Sequence, residues 1–199
     1  RVVGRRRLKR QWPTIEHRGL GWGGLFADAQ VPWTERLVVE LALSASDHGA
    51  RILTHCEVTQ IDSDGGAARG LRYRDTIDGT EHSLRARTVV NAAGPWVDAV
   101  LGQADSSEPL IGPTKGSHVV VDPFPGAPPT CVFFEARADA RPMFVLPWAG
   151  RYMIGTTDLP FDGDLEDITA SDDEVDYLLT EANRLLPGAD LRPEDVLWS

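Results

Sequence analysis

The sequence predicts a mixed fold, α/β in its middle and α+β toward its C-terminal end. Three observations carry this prediction. Residues 87–98 read as an apolar strand, a turn of small residues and a helix, as α/β folds use to bring backbone close to a ligand. Residues 51–85 read as short alternating runs divided by turn signals, an antiparallel meander. Beyond residue 114 the chain is mostly strand-like, with one well-marked helix near its end.

The elements follow in chain order. Residues 1–33 are rich in Arg, Gly and Trp and read as an irregular connecting segment. Thr34 is placed to cap a helix in which Leu37, Leu41, Ala45 and His48 fall at helical spacing, and Gly49 stops it. Arg51–Thr54 reads as a short strand, and Cys56–Asp62 alternates as another. Asp64-Gly65-Gly66 marks a turn before Ala68–Arg74, and Asp78-Gly79 marks a hairpin before Glu81–Arg85. Arg87-Thr-Val-Val-Asn91 reads as a buried strand. Pro95 suits the first turn of the helix that follows. Residues 102–114 read as a linker. Strands are expected at Gly116–Val121, Cys131–Phe134, Met143–Pro147 and Tyr152–Thr156, with a loop at Pro123–Pro129. Ser171-Asp-Asp-Glu174 is a capping box for a helix through Leu186, ended by Pro187-Gly188.

Composition narrows the function classes. The chain has 199 residues, 42% hydrophobic and 25% charged, enough for one large domain or parts of two. Those values exclude a disordered chain, a collagen and a coiled coil. Thirty acidic residues against twenty basic ones give a net charge of −10, which argues against a nucleic-acid partner. Six of the bases (Arg1, Arg5, Arg6, Arg7, Lys9 and Arg10) sit in the first ten residues. Residues 158–195 hold 13 acids and two bases, a solvated acidic face. Cys56 and Cys131 have no CxxC or Cys/His company, so they read as reduced, buried thiols rather than a metal site or disulfide. No apolar run reaches the length of a membrane span, and the basic start is not followed by a signal-peptide core. The expectation is an intracellular protein without a metal.

Four motifs bear on chemistry. Gly19-Leu-Gly21-Trp-Gly-Gly24 matches GxGxxG, but no strand precedes it and no helix follows, so it reads as a flexible loop. Asn91-Ala92-Ala93-Gly94 lets backbone approach a flat ring or pyrophosphate without a side-chain clash. A tight strand-to-helix turn with no ligand fits the same residues. Lys115-Gly116-Ser117-His118 places a histidine on a strand, where it serves either as an acid or base near neutral pH or as a structural residue. Arg141 precedes a strand and has the geometry to hold a carboxylate or phosphate in two bonds. Thr156 and Thr157 either hydrogen-bond a ligand or shape a turn that Asp158 completes.

Taken together, these segments resemble the FAD-dependent glycerol-3-phosphate dehydrogenases of the aerobic respiratory type. The resemblance rests on Thr34-Glu-Arg-Leu-Val, Val89-Val-Asn-Ala-Ala-Gly-Pro-Trp-Val, Lys115-Gly-Ser-His-Val-Val-Val and Arg141-Pro-Met-Phe-Val-Leu-Pro-Trp. It continues in Ile154-Gly-Thr-Thr-Asp, Asp162-Gly-Asp164 and Asp176-Tyr-Leu-Leu. The order and spacing hold from about residue 26 to the end.

The resemblance implies a partial Rossmann-type FAD-binding domain interleaved with an antiparallel-sheet substrate domain. Residues 34–101 belong to the first and 108–199 to the second. It implies that Val58 passes the adenine, that Ala92, Ala93 and Gly94 approach the flavin nucleotide, and that His118 is the catalytic base. Arg141 is a weaker candidate for the substrate. The implied reaction oxidises sn-glycerol 3-phosphate to dihydroxyacetone phosphate. Electrons pass to a quinone, and the protein is cytoplasmic with peripheral contact at the inner face of the cell membrane. The family's opening GxGxxG strand unit and its later arginine-bearing segment have no counterpart here. The sequence therefore reads as an internal fragment, inactive alone, poor at holding FAD and prone to aggregate at exposed sheet edges. Two other readings remain: an amino-acid or sarcosine-type flavin oxidase of the same fold, and a non-catalytic binding fragment.

Overall fold

The computed structural model describes residues 1–102 and 109–199. Part of the expected linker, 103–108, lies outside the described residues, as does the expected domain start at 108. In chain order the elements are β1 (Val2–Gly4), α1 (Arg5–Gln11), β2 (Trp22–Gly24), α2 (Thr34–Asp47), β3 (Cys56–Asp64), β4 (Ala67–Asp75) and β5 (Glu81–Arg85). A 3-10 turn at Gly94–Trp96 runs into α3 (Val97–Gly102). Then come β6 (Thr114–Lys115), β7 (His118–Val121), β8 (Val132–Glu135), β9 (Pro142–Trp148), β10 (Arg151–Gly155), β11 (Leu159–Pro160), α4 (Asp172–Leu185) and β12 (Val196–Trp198).

The chain divides into two units, Arg1–Pro32 with Thr114–Ser199, and Trp33–Pro113. The first is built on an antiparallel sheet in the order β12-β7-β10-β9-β8. Its strands present alternate residues to opposite faces. Val119, Val121, Met143, Val145 and Ile154 are buried in one cluster with Leu178, Leu179, Ala182 and Leu186 of α4. The capping box starts α4 as the sequence predicts: Ser171 accepts from the Glu174 backbone N–H, and Glu174 accepts from the Ser171 backbone N–H. In-register neighbours His118, Gly155, Phe144 and Phe133 lie across the opposite face.

Residues 1–33 are not the irregular segment the sequence predicts. β1 and β2 pair, α1 connects them, and Val3 and Leu8 are buried. Leu8 closes this small motif by packing over Gly23. The GxGxxG match falls in the loop into β2 and in β2 itself, with no phosphate-binding strand–turn–helix around it.

The second unit holds the predicted meander. β3, β4 and β5 pair consecutively. Gly70 lies so close to β5 that any side chain there would strike the Leu84 carbonyl. Three expectations need correction. Thr34 is the first helical residue of α2, and Trp33, at the cap position, makes no side-chain capping bond. Arg51–Thr54 forms no strand. Nor does the Arg87–Asn91 run, where Val90 is 82% exposed. A strand needs a neighbour to complete its ladder, and none pairs with either run among the described residues. Both cysteines are free, as expected, but half-buried rather than buried.

Candidate active site

His118 opens β7 on the sheet face away from α4. Its ring lies across Gly155 of β10 and reaches Phe144 of β9, with ring centroids 5.5 Å apart. Phe144 in turn meets Phe133 at 6.0 Å, and Phe133 stacks on Phe26 at 6.1 Å. An apolar hollow of about 500 Å³ lies beside this row, lined by Trp12, Phe26, Cys131, Phe133, Phe144 and Leu146 among others. Partial burial lowers the His118 pKa from its ordinary 6.5, because a charged imidazolium loses solvation there. The ring is therefore neutral at pH 7. Neither ring nitrogen makes a hydrogen bond among the described residues. A neutral, partly exposed imidazole of this kind can accept a proton.

The residues just before His118 are held by a buried carboxylate. Glu174, only 3% exposed, takes Lys115 Nζ at 2.6 Å. Ser117 Oγ and Thr157 Oγ1 each donate to Glu174 Oε1 at 2.8 Å. The Ser117 N–H donates to Thr157 Oγ1 at 2.8 Å, and Lys115 Nζ also donates to the Thr169 carbonyl at 2.8 Å. Burial alone would raise the Glu174 pKa. The bonds from Lys115, the Ser171 backbone, Ser117 and Thr157 outweigh it and bring the pKa to about 2. Of the two sequence readings for Thr156 and Thr157, shaping the turn is the one observed. Thr156 donates to the Thr157 carbonyl, and Thr157 ties the turn to Glu174. The sequence signal for Glu174 was its place in the capping box. Its second role, 57 residues from Ser117, left none.

Arg141 lies just before β9, at the sheet end where β10 finishes and β7 begins. Its guanidinium donates to the Asp158 carbonyl and pairs with Asp139 at 3.4 Å. The Arg141 backbone N–H, Tyr177 and the Arg141 charge together lower the Asp139 pKa against its slight burial. Arg141 therefore shares the His118 end of the sheet but is engaged by its own chain.

In the second unit, Val58, Ala92 and Ala93 come together around a hollow of about 140 Å³, with Ile61, Leu71, Val89 and Val100. Gly94 lies just outside this lining. Its φ of +56° lets the chain turn from Ala93 into the helix. Asn91 braces the turn: its Nδ2 donates to the Val97 carbonyl, and its Oδ1 accepts from the Ala93 N–H. The wall is apolar, and Ala92, Ala93 and Gly94 leave the backbone uncovered. These residues fit the ring portion of a dinucleotide such as FAD. Among the described residues no cluster of His, Cys, Asp and Glu could hold a metal ion.

Comparison with known proteins places this geometry in a family. The FAD dependent oxidoreductase profile matches residues 1–199. A glycerol-3-phosphate dehydrogenase of Synechocystis sp. is 40% identical over all of this chain, which covers 38% of that protein. An alpha-glycerophosphate oxidase of Streptococcus pyogenes is 34% identical over 95% of the chain, covering 31% of that protein. Among solved structures, a Bacillus halodurans glycerol-3-phosphate dehydrogenase complexed with FAD superposes with TM-score 0.84 at 31% identity. That match covers 98% of this chain and 39% of the other. An L-proline dehydrogenase from P. horikoshii superposes with TM-score 0.72 at 15% identity, a likeness of fold alone. The chain thus spans roughly a third to two fifths of the length of these glycerol-phosphate relatives. Matched from first residue to last, it belongs to the FAD dependent oxidoreductase family.

Proposed function

We propose that the intact protein carrying this chain oxidises sn-glycerol 3-phosphate to dihydroxyacetone phosphate with FAD. The observation that carries the proposal is the half-buried His118 ring laid against Phe144, where burial favours its neutral form, in a chain whose relatives are named for glycerol 3-phosphate. Bound FAD supplies the hydride acceptor. A ring nitrogen of His118 takes the proton of the substrate C2 hydroxyl, and burial keeps that nitrogen unprotonated at neutral pH. Phe144 and Phe133 lay an apolar floor beside the ring. Arg141 is offered to the substrate phosphate, exchanging the Asp158 carbonyl for phosphate oxygens. Val58, Ala92, Ala93 and Gly94 hold the adenine and nucleotide side of FAD.

On this reading residues 34–101 are part of the FAD-binding domain, and residues 108–199 supply part of the substrate domain. A quinone takes the electrons, with the protein in the cytoplasm and in peripheral contact with the membrane. No helix among the described residues is long and apolar enough to cross a membrane.

The test is anaerobic reduction of the bound flavin in the full-length protein. Glycerol 3-phosphate should bleach the flavin in the parent. His118→Ala should slow the bleaching by roughly a hundredfold, the scale for losing a general base. Bleaching by an amino acid instead would transfer the chain to the amine-oxidising branch of the fold. A rate unchanged in His118→Ala would remove the histidine from the chemistry.

A further inference from the structure

The structure assigns to Gly155 the positioning of His118: its missing side chain is the slot in which the catalytic ring lies. This inference rests on the proposed role of His118 and adds the residue that orients it. β7 and β10 pair so that His118 stands directly opposite Gly155. A methyl group on Gly155 would lie far inside contact distance of His118 Cδ2, and only 3.0 Å from Cγ and Nε2. The colliding atoms belong to the ring itself, so the ring would have to leave. On the far side of the slot Phe144, the other in-register neighbour of Gly155, stops the ring at 5.5 Å. With no hydrogen bond to its nitrogens among the described residues, packing alone sets the ring's direction.

Gly155 precedes a cis peptide bond to Thr156, and its φ lies outside the left-handed region, so no positive φ calls for glycine there. Gly150, in the β9–β10 turn, is the converse case. Its φ is +81°, and nothing lies within 4 Å of where its side chain would be. The two glycines of one hairpin therefore separate a slot from a turn.

The experiment pairs thermal melts with anaerobic flavin reduction in the full-length, FAD-loaded protein. Gly155→Ala should slow reduction at saturating glycerol 3-phosphate by roughly tenfold to a hundredfold. The apparent substrate Kd should change far less, because the phosphate contacts are elsewhere. Gly155→Ala should also lower Tm. In the His118→Ala background the same change should cost little or no Tm, because the ring it strikes is gone. Gly150→Ala should lower Tm yet leave the reduction rate at the parental value.

Parental reduction by Gly155→Ala would overturn the inference. So would an equal Tm loss in the two backgrounds, or a double variant that fails to fold where His118→Ala folds. The melts read the slot whatever the substrate is. A parent that glycerol 3-phosphate does not bleach would thus defeat the proposed function separately.

Discussion

The two units of this chain obey the same local rules and reach different ends. In the sheet-and-α4 unit, the apolar residues of four elements meet in one buried cluster. In the Trp33–Pro113 unit, Gly70 is the single buried residue among those described. α2 has no buried residue along its 14, and Leu37, Val38, Val39, Leu41 and Leu43 are all exposed. Yet α2 and the meander both form where helical spacing and turn signals place them. Local signals thus suffice to specify helices and hairpins, whereas burial has to come from elements brought together over long separations. The proton-transfer candidate, His118, sits in the unit that has a core. The nucleotide-cradle candidates sit in the unit without one.

The two units should differ most in their response to a change at Glu174. Glu174→Ala would leave the half-buried Lys115 ammonium without its carboxylate and the hydroxyl protons of Ser117 and Thr157 without their acceptor. Removing one partner of a buried ion pair costs about 3–5 kcal/mol. The loss should appear as faster hydrogen exchange across α4 and β7 in the full-length protein, with the meander amides unchanged. The same carboxylate gives the contrast a pH signature. Its folded pKa of about 2 lies below the ordinary 4.5. Its stabilisation is therefore complete above pH 4.5 and is lost as pH falls from there toward 2. Glu174→Gln should remove that acid-dependent part of the exchange protection.

Two leucines separate the units next. Leu178→Ala opens a cavity in the buried cluster and should cost about 2–5 kcal/mol. Leu41→Ala alters an exposed position of α2 and should stay within about 0.5 kcal/mol. Equal costs at the two positions, measured by hydrogen exchange of each helix, would show that α2 is covered in the full-length protein. The difference between the units would then belong to this stretch of chain rather than to the fold.

Legibility in the sequence follows the same division. The capping box at Ser171–Glu174, the Asp78-Gly79 hairpin and the small-residue turn at Asn91–Gly94 are short-range devices, and each stands where the sequence puts it. β1, α1 and β2 leave no periodic signal in the sequence, because elements of three and seven residues are too short to show one. The Arg87–Asn91 run looked like a strand because apolar composition reports a preference, whereas a ladder requires a neighbour. At the candidate site, His118 and Arg141 were legible as residue types with the right chemistry. Arg141's attachment to Asp158 and Glu174's hold on Lys115, Ser117 and Thr157 depend on strand register and on a helix packed from far along the chain. Gly155 is the sharpest instance. In sequence it lies near the end of the expected strand Tyr152–Thr156, and only its pairing with His118 reveals what its missing side chain leaves room for.

The most direct test of His118 as the base is the pH dependence of anaerobic flavin reduction by glycerol 3-phosphate, in the full-length protein and in His118→Ala. Burial lowers the His118 pKa, so the parental rate should hold constant through neutral pH and fall tenfold per pH unit only below an apparent pKa under 6.5. That acid limb should vanish in His118→Ala, leaving a slow rate that is flat across the same range. An acid limb of unchanged position and slope in the variant would assign the titrating base to another residue and contradict the account.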